Sequence, residues 1–254
     1  MKKLLIANWK MKLKESDSID LAKKYIEKLN KSRNVEVIIA PTMLYLSKIA
    51  SLLKKSNLKL ASQNIAVMES GALTGETSAE MVHEAGCKYT LVGHSERRHK
   101  MHETDDEINK KINLAYDNGL IPVLCIGETL KDKNDGQRDT VLTIQLRNAL
   151  SKVDNLPDKQ LIIAYEPVWA ISSSGSGLLM EAEEMYTVAR IVKRVLSSLY
   201  SESFYEEKVK LLYGGSINSI IAKDFWNIEI LDGLLVGSAS LDAQEMSTIA
   251  LQSE

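Results

Sequence analysis

An excess of charge of either sign is missing from this 254-residue sequence, in which 32 Lys and Arg stand against 34 Asp and Glu for a formal net charge of -2. So small an imbalance provides no global field for nucleic acid or an anionic membrane surface, and any phosphate the chain binds must be gripped locally. Long apolar runs are missing as well: no stretch reaches the roughly 18 unbroken apolar residues that a transmembrane helix needs. The start, Met1 to Asn8, has two lysines and a short apolar run but no signal-peptide core or cleavage site, so the protein is expected in the cytoplasm. Cysteine is scarce. Cys87 and Cys125 lie far apart, and the histidines His83, His94, His99 and His102 show no Cys/His pairing at zinc-finger spacing, which leaves neither a disulfide framework nor a metal site to expect. Nucleotide and hydrolase motifs are missing too. Gly175-Ser176-Gly177 lacks the third glycine of a dinucleotide fingerprint, and no GxxxxGK stretch exists. At Gly214-Gly215-Ser216-Ile217-Asn218, Asn218 stands where a nucleophile elbow needs its last glycine.

What is present is a rhythm. Short apolar runs recur at Leu4 to Ala7, Val35 to Ala40, Leu58 to Ser62, Tyr89 to Val92, Ile121 to Ile126, Leu161 to Tyr165, Val209 to Tyr213 and Leu231 to Val236, and they read as buried strands. Helical spacings of three and four fill the intervals, as in Ile19, Ala22, Ile26, Leu29, in Leu142, Leu146, Ala149, Val153, and in Met185, Val188, Val192, Val195, Leu199. Alternating strand and helix implies an α/β protein with a parallel sheet, and a chain of this length is expected to form one domain over residues 1–254. Eight such units can close into a (β/α)8 barrel. A doubly wound open sheet is the alternative; it would more often show fewer strands and a glycine-rich first turn, whereas the first turn here is Ala7-Asn8-Trp9-Lys10.

In a β/α barrel the reactive groups sit where strands end. Applied along the chain, that rule gathers Asn8 and Lys10, His94 and Ser95, Glu166, Gly214-Gly215-Ser216 and Gly237-Ser238 at one mouth. Pro167 holds the backbone of Glu166 extended, giving its carboxylate a fixed exit from the strand. Taken one at a time, a salt-bridged rim glutamate, a core histidine and a surface lysine are ordinary alternatives. The two glycine turns leave a strand and enter a helix, exposing N–H groups to an anion, though each could equally be a tight turn that needs glycine for its dihedrals.

With these residues assembled, the chain resembles the triosephosphate isomerase family along essentially its whole length. The matching stretches are Ala7-Asn8-Trp9-Lys10-Met11, Gln63-Asn64, Gly71 to Glu76, Val92 to Arg98, Cys125 to Leu130, Ala164 to Ile171, Tyr213 to Ser216 and Asp232 to Gly237. The resemblance implies a (β/α)8 barrel that interconverts dihydroxyacetone phosphate and D-glyceraldehyde 3-phosphate without a cofactor. A carboxylate base, a histidine electrophile and a closing loop are roles known for this family and are carried over by resemblance alone. On this chain they fall to Glu166 as the base and His94 as the group that polarises the carbonyl. Asn8 and Lys10 stabilise the enediolate, with Glu96 pairing Lys10 and Ser95 beside His94. Phosphate contacts fall to Ser172, Ser216, Gly237 and Ser238. A loop with Thr74 between Gly71 and Gly75 implies a homodimer.

Two stretches depart from the family. Its closing loop usually reads Ala-Ile-Gly-Thr-Gly, where this chain has Ala170-Ile171-Ser172-Ser173-Ser174-Gly175-Ser176-Gly177. A Gly-Gly pair is replaced by Gly237-Ser238, which can still donate N–H groups if the serine backbone adopts the needed dihedrals. Two other functions stay open: a catalytically impaired barrel that serves as a binding or scaffold protein, and a ring-forming or aldol barrel, for which Lys10 is the only strand-end lysine available as a Schiff base.

Overall fold

The computed structural model describes residues 2–153, 156–171 and 177–253. Its strands are β1 (Lys3–Asn8), β2 (Val35–Ala40), β3 (Lys59–Ser62), β4 (Tyr89–Val92), β5 (Ile121–Ile126), β6 (Leu161–Tyr165), β7 (Val209–Tyr213) and β8 (Gly233–Val236). Every neighbouring pair is parallel, and β8 returns to β1 through the register Leu4↔Gly233 to Ala7↔Val236, so the sheet closes as an eight-stranded barrel. Closure rules out the open-sheet alternative. The helices are α1 (Glu15–Leu29), α2 (Leu46–Leu53), α3 (Ala79–Glu84), α4 (Ser95–Lys100), α5 (Asp105–Asp117), α6 (Leu130–Asn134), α7 (Arg138–Leu150), α8 (Glu184–Leu199), α9 (Glu202–Lys208), α10 (Ala222–Trp226) and α11 (Ala243–Leu251). Among the described residues, no helix is long and apolar enough to cross a membrane.

The strands are largely buried on both faces and so read as mainly apolar runs, interrupted at Glu36, Thr90 and Lys210. Alternate residues enter two separate cores. Leu4, Ile6, Ile38, Leu91, Val123, Cys125, Ile162, Ala164, Leu212 and Leu235 fill the barrel interior, while Leu5, Ala7, Ile39, Ile163 and Val236 meet the helices. This alternation carries on past the strand ends and decides what faces the mouth. Asn8 follows Leu4 and Ile6 at the same two-residue interval, Glu166 follows Ile162 and Ala164, Gly214 follows Leu212, and Gly237 follows Leu235.

Three local expectations need correction. In α1 the buried stripe is Ser18, Leu21, Ala22, Tyr25 and Leu29, with Ile19 and Ile26 only half-buried. The helix is turned by Tyr25, which packs edge-on to Trp9 at 5.7 Å between ring centroids and donates to Ser240 O at 2.6 Å. Strand β8 begins at Gly233 rather than Leu231. A Cβ there would lie 2.2 Å from Leu4 O, so the ladder starts where glycine lets two backbones meet. Of the two glycine turns only the second runs straight into a helix, the 3-10 turn Ser238–Leu241; after Gly214-Gly215-Ser216 the chain travels on to Ala222 before α10 begins.

Candidate active site

The strand ends converge on a cavity lined by Asn8, Lys10, His94, Glu166, Gly214, Gly215, Gly237 and Ser238, with Ile171, Ile217 and Leu235 as apolar walls. Glu166 is 2% exposed. Its Oε1 lies 3.1 Å from His94 Nε2, and its Oε2 accepts from the Ser95 N–H at 3.0 Å. Burial pushes the Glu166 carboxyl up, but the attraction and hydrogen bond of His94, the Ser95 N–H and the charge of Lys10 together hold it below the usual carboxylate range. The group is therefore an ionised base kept out of water. Room for it comes from Gly214, where a Cβ would stand 2.9 Å from Glu166 Cγ.

His94 caps the short helix α4, and its Nδ1 accepts from the Glu96 N–H at 3.2 Å. With Nδ1 accepting, Nε2 is the ring nitrogen that carries a hydrogen toward Glu166. Beneath them, burial first and the Glu166 charge second push the Cys125 thiol well up, which makes it an apolar filler rather than a nucleophile.

Lys10 is in the left-handed region at φ 51°, a conformation that costs a non-glycine residue roughly 1–3 kcal/mol and persists only when its neighbours impose it. Three contacts do so. The Lys10 N–H donates to Asn8 Oδ1 at 3.0 Å, Gln63 Nε2 donates to Lys10 O at 2.9 Å and to Ala40 O at 2.9 Å, and Lys10 Nζ reaches Glu96 Oε1 at 3.0 Å. Burial pushes the Glu96 carboxyl up, and the hydrogen bond and charge of Lys10 together with the charges of His94 and Lys100 more than offset it, so Glu96 also sits below the usual range. Gln63 is thus a positioning residue, visible in the sequence only as part of a matching stretch.

At the end of β8, Gly237 caps the 3-10 turn that begins at Ser238, and Ser238 takes an ordinary negative φ, so serine fits there without strain. Ser216 falls outside the cavity lining; it is half-buried and its N–H is given to Ala170 O at 2.8 Å. Ser172 lies outside the described residues. Sequence reasoning gave Glu128 no role beyond its place in the matching stretch Cys125 to Leu130. It is fully buried and accepts from Tyr165 Oη at 2.9 Å, Trp169 Nε1 at 2.9 Å and Arg138 Nε at 2.9 Å, while its carbonyl takes the Val168 N–H at 3.0 Å. It anchors the segment that carries the chain away from Glu166.

The sequence profile described as Triosephosphate isomerase matches residues 3–253. The chain belongs to the triosephosphate isomerase family. Relatives of that name include the protein of Clostridium tetani, 36% identical over 248 residues that make up 98% of this chain and 95% of the relative. The protein of Francisella philomiragia is 37% identical over 252 residues, 99% of this chain and 97% of the relative. That of Dictyoglomus thermophilum is 36% identical over 248 residues, 98% of each. Triosephosphate isomerase family membership accounts for a carboxylate, an imidazole N–H donor and a cation meeting at one mouth, because abstraction of a proton beside a carbonyl creates an oxyanion.

Proposed function

We propose that the reaction of this family, interconversion of dihydroxyacetone phosphate and D-glyceraldehyde 3-phosphate, runs here by proton transfer through Glu166. The observation that carries the reading is the direct contact of Glu166 with His94 at 3.1 Å. A triose that enters between them takes the Nε2–H of His94 on its carbonyl oxygen and presents its adjacent C–H to the carboxylate. Glu166 removes the proton, the electron pair moves onto oxygen to give the enediolate, and His94, Lys10 and Asn8 surround the new charge. His94 passes a proton from the hydroxyl oxygen that becomes the new carbonyl to the oxygen that becomes the new hydroxyl, and return of the carbon-bound proton from Glu166 to the neighbouring carbon completes the exchange, so no cofactor is required by the chemistry.

The backbone N–H groups at Gly237 and Ser238 suit the phosphate, which must be held because the enediolate can otherwise expel it. Ser95 and Glu96 act through the groups they touch, the first on Glu166 and the second on Lys10. A Schiff-base reading has weaker support, since Lys10 faces Glu96 rather than standing free inside the barrel. We expect Glu166→Gln to keep the fold and the binding of a phosphate-bearing substrate analogue while losing at least about 100-fold in kcat, because it removes the base and keeps the shape. A coupled dehydrogenase assay on glyceraldehyde 3-phosphate measures this; retention of more than about a tenth of activity would rule Glu166 out as the base.

We also infer a homodimer. Large apolar side chains lie bare on the connections after the four consecutive strands β1 to β4, among them Met11 at 92% exposure, Leu44, Leu73, Met81 and Met101. The loop that holds Thr74 is closed at its base by the Ala66 N–H donating to Thr77 O at 2.9 Å and exposes Leu73 and Thr74 at its tip. A rim of exposed apolar groups with a projecting loop suits contact with a second copy, close to Asn8 and Lys10.

A further inference from the structure

Away from the mouth, a groove with about 590 Å³ of room runs along the outside of the barrel between α7 and α8. Sites for small molecules typically fall at roughly 300–1,000 Å³. The groove is basic: Lys133, Arg138, Arg190 and Arg194 line it against two carboxylates, Asp139 and Glu184. Helical spacing produces this, because Glu184, Thr187, Arg190 and Arg194 recur every three or four residues along one face of α8.

The carboxylates are already engaged. Arg194 Nη2 lies 2.7 Å from Asp139, and Glu184 receives Arg138 at 2.6 Å and Lys133 at 3.6 Å. Among the described residues Arg190 meets no carboxylate, and its guanidinium donates only to Thr187 Oγ1 at 3.1 Å. Both helices start beside the groove, and Gln137 at the start of α7 makes no side-chain cap, so helix dipoles add to the positive potential. One of the cations touches the segment that follows Glu166 and a second reaches it through Glu128. Lys133 Nζ sits 3.4 Å from the centre of the Trp169 ring, and Arg138 binds Glu128, which holds Trp169 Nε1.

We propose that this groove is a second anion site, for a small molecule bearing phosphate groups, and that its occupancy registers at Trp169. Arginine forks match phosphate oxygens in pairs, and Arg190 has donors to give. A phosphate that draws Lys133 and Arg138 toward the groove competes with Glu184 and Glu128 for them, and so alters the surroundings of the Trp169 ring.

Pyrophosphate is the probe, titrated into the whole protein at about 0.15 M salt so that diffuse surface attraction is screened. The wild type should bind it in calorimetry with a saturable change in tryptophan fluorescence, and Trp169→Phe should lose the fluorescence change while it keeps the heat. Arg190→Glu should weaken this binding at least about tenfold, and Arg190→Ala should do so by a smaller factor, with kcat/KM for the triose unchanged in both. Pyrophosphate held in the mouth is recognised separately as a rise in KM common to the wild type and both Arg190 variants. Equal affinity and stoichiometry in the wild type and Arg190→Glu, or a fluorescence change that survives Trp169→Phe, would overturn the proposal.

Discussion

Glu166 and Glu128 are both carboxylates that follow an apolar strand, both are buried, and only one faces the mouth. Phase separates them: Glu166 stands two residues beyond the inward-facing Ala164, whereas Glu128 stands three beyond the inward-facing Cys125 and so turns to the helices, where Arg138 and Trp169 meet it. The same reasoning bears on ionisation. Because the folded Glu166 carboxyl lies below its ordinary value of 4.5, its ionised form adds stability at pH above that value, and the contribution is lost as pH falls through the folded value. A carboxyl NMR titration should therefore place Glu166 below 4.5, and His94→Gln should move it upward by taking away an attraction and a hydrogen bond that oppose burial. A midpoint above 4.5 in the wild type would mean that burial wins and that the base is not held ionised by its neighbours.

At the scale of elements, the strands were almost fully legible. Val35 to Ala40, Tyr89 to Val92, Ile121 to Ile126, Leu161 to Tyr165 and Val209 to Tyr213 form strands with the boundaries expected from their apolar runs, because a strand covered on both faces is mostly apolar even where Glu36 or Lys210 interrupts it. Helix faces were less legible. In α1 the choice between the stripe of Ile19 and Ile26 and that of Tyr25 depends on Trp9 and Ser240, which are remote in sequence. The turns were less legible at Ser216, whose N–H donates to Ala170 O, since a Gly-Gly-Ser string does not reveal which of its amides face inward. Side-chain phase does show which residue faces inward, and it singles out Gly214, whose own N–H stays paired with Tyr165 O at 2.8 Å. Gly214→Ala should fold and yet lose activity, because its Cβ would press Glu166 Cγ at 2.9 Å, whereas at Gly237 the nearest contact is Lys10 Cε at 3.4 Å on a flexible stem. We expect roughly 10-fold or more from the first substitution and a smaller loss from the second, measured as kcat/KM beside circular dichroism, since small displacements of reacting groups are costly. Equal losses would show that Gly214 is not there to make room for the base.

For the molecule as a whole, the repeating strand and helix pattern made a barrel legible, and register through Leu4↔Gly233 is what closes it, a fact that no periodicity could carry. Assembly is legible only as bare apolar surface around Met11, Leu44 and Met101 and as the projecting loop at Thr74. Thr74→Arg should convert a dimer to a monomer in light scattering at micromolar concentration by burying an unpaired charge. A wild type that is monomeric and fully active under the same conditions would refute the dimer. The central claim, that a carboxylate passes a proton between adjacent carbons of a triose phosphate, has its most direct test in heavy water. Glyceraldehyde 3-phosphate converted by the wild type in D2O should yield dihydroxyacetone phosphate of which a measurable fraction carries carbon-bound deuterium, because Glu166 can exchange its proton with solvent before returning it. Turnover with no deuterium in the product at any extent of reaction would mean that hydrogen moves directly between the carbons and that Glu166 is not the carrier.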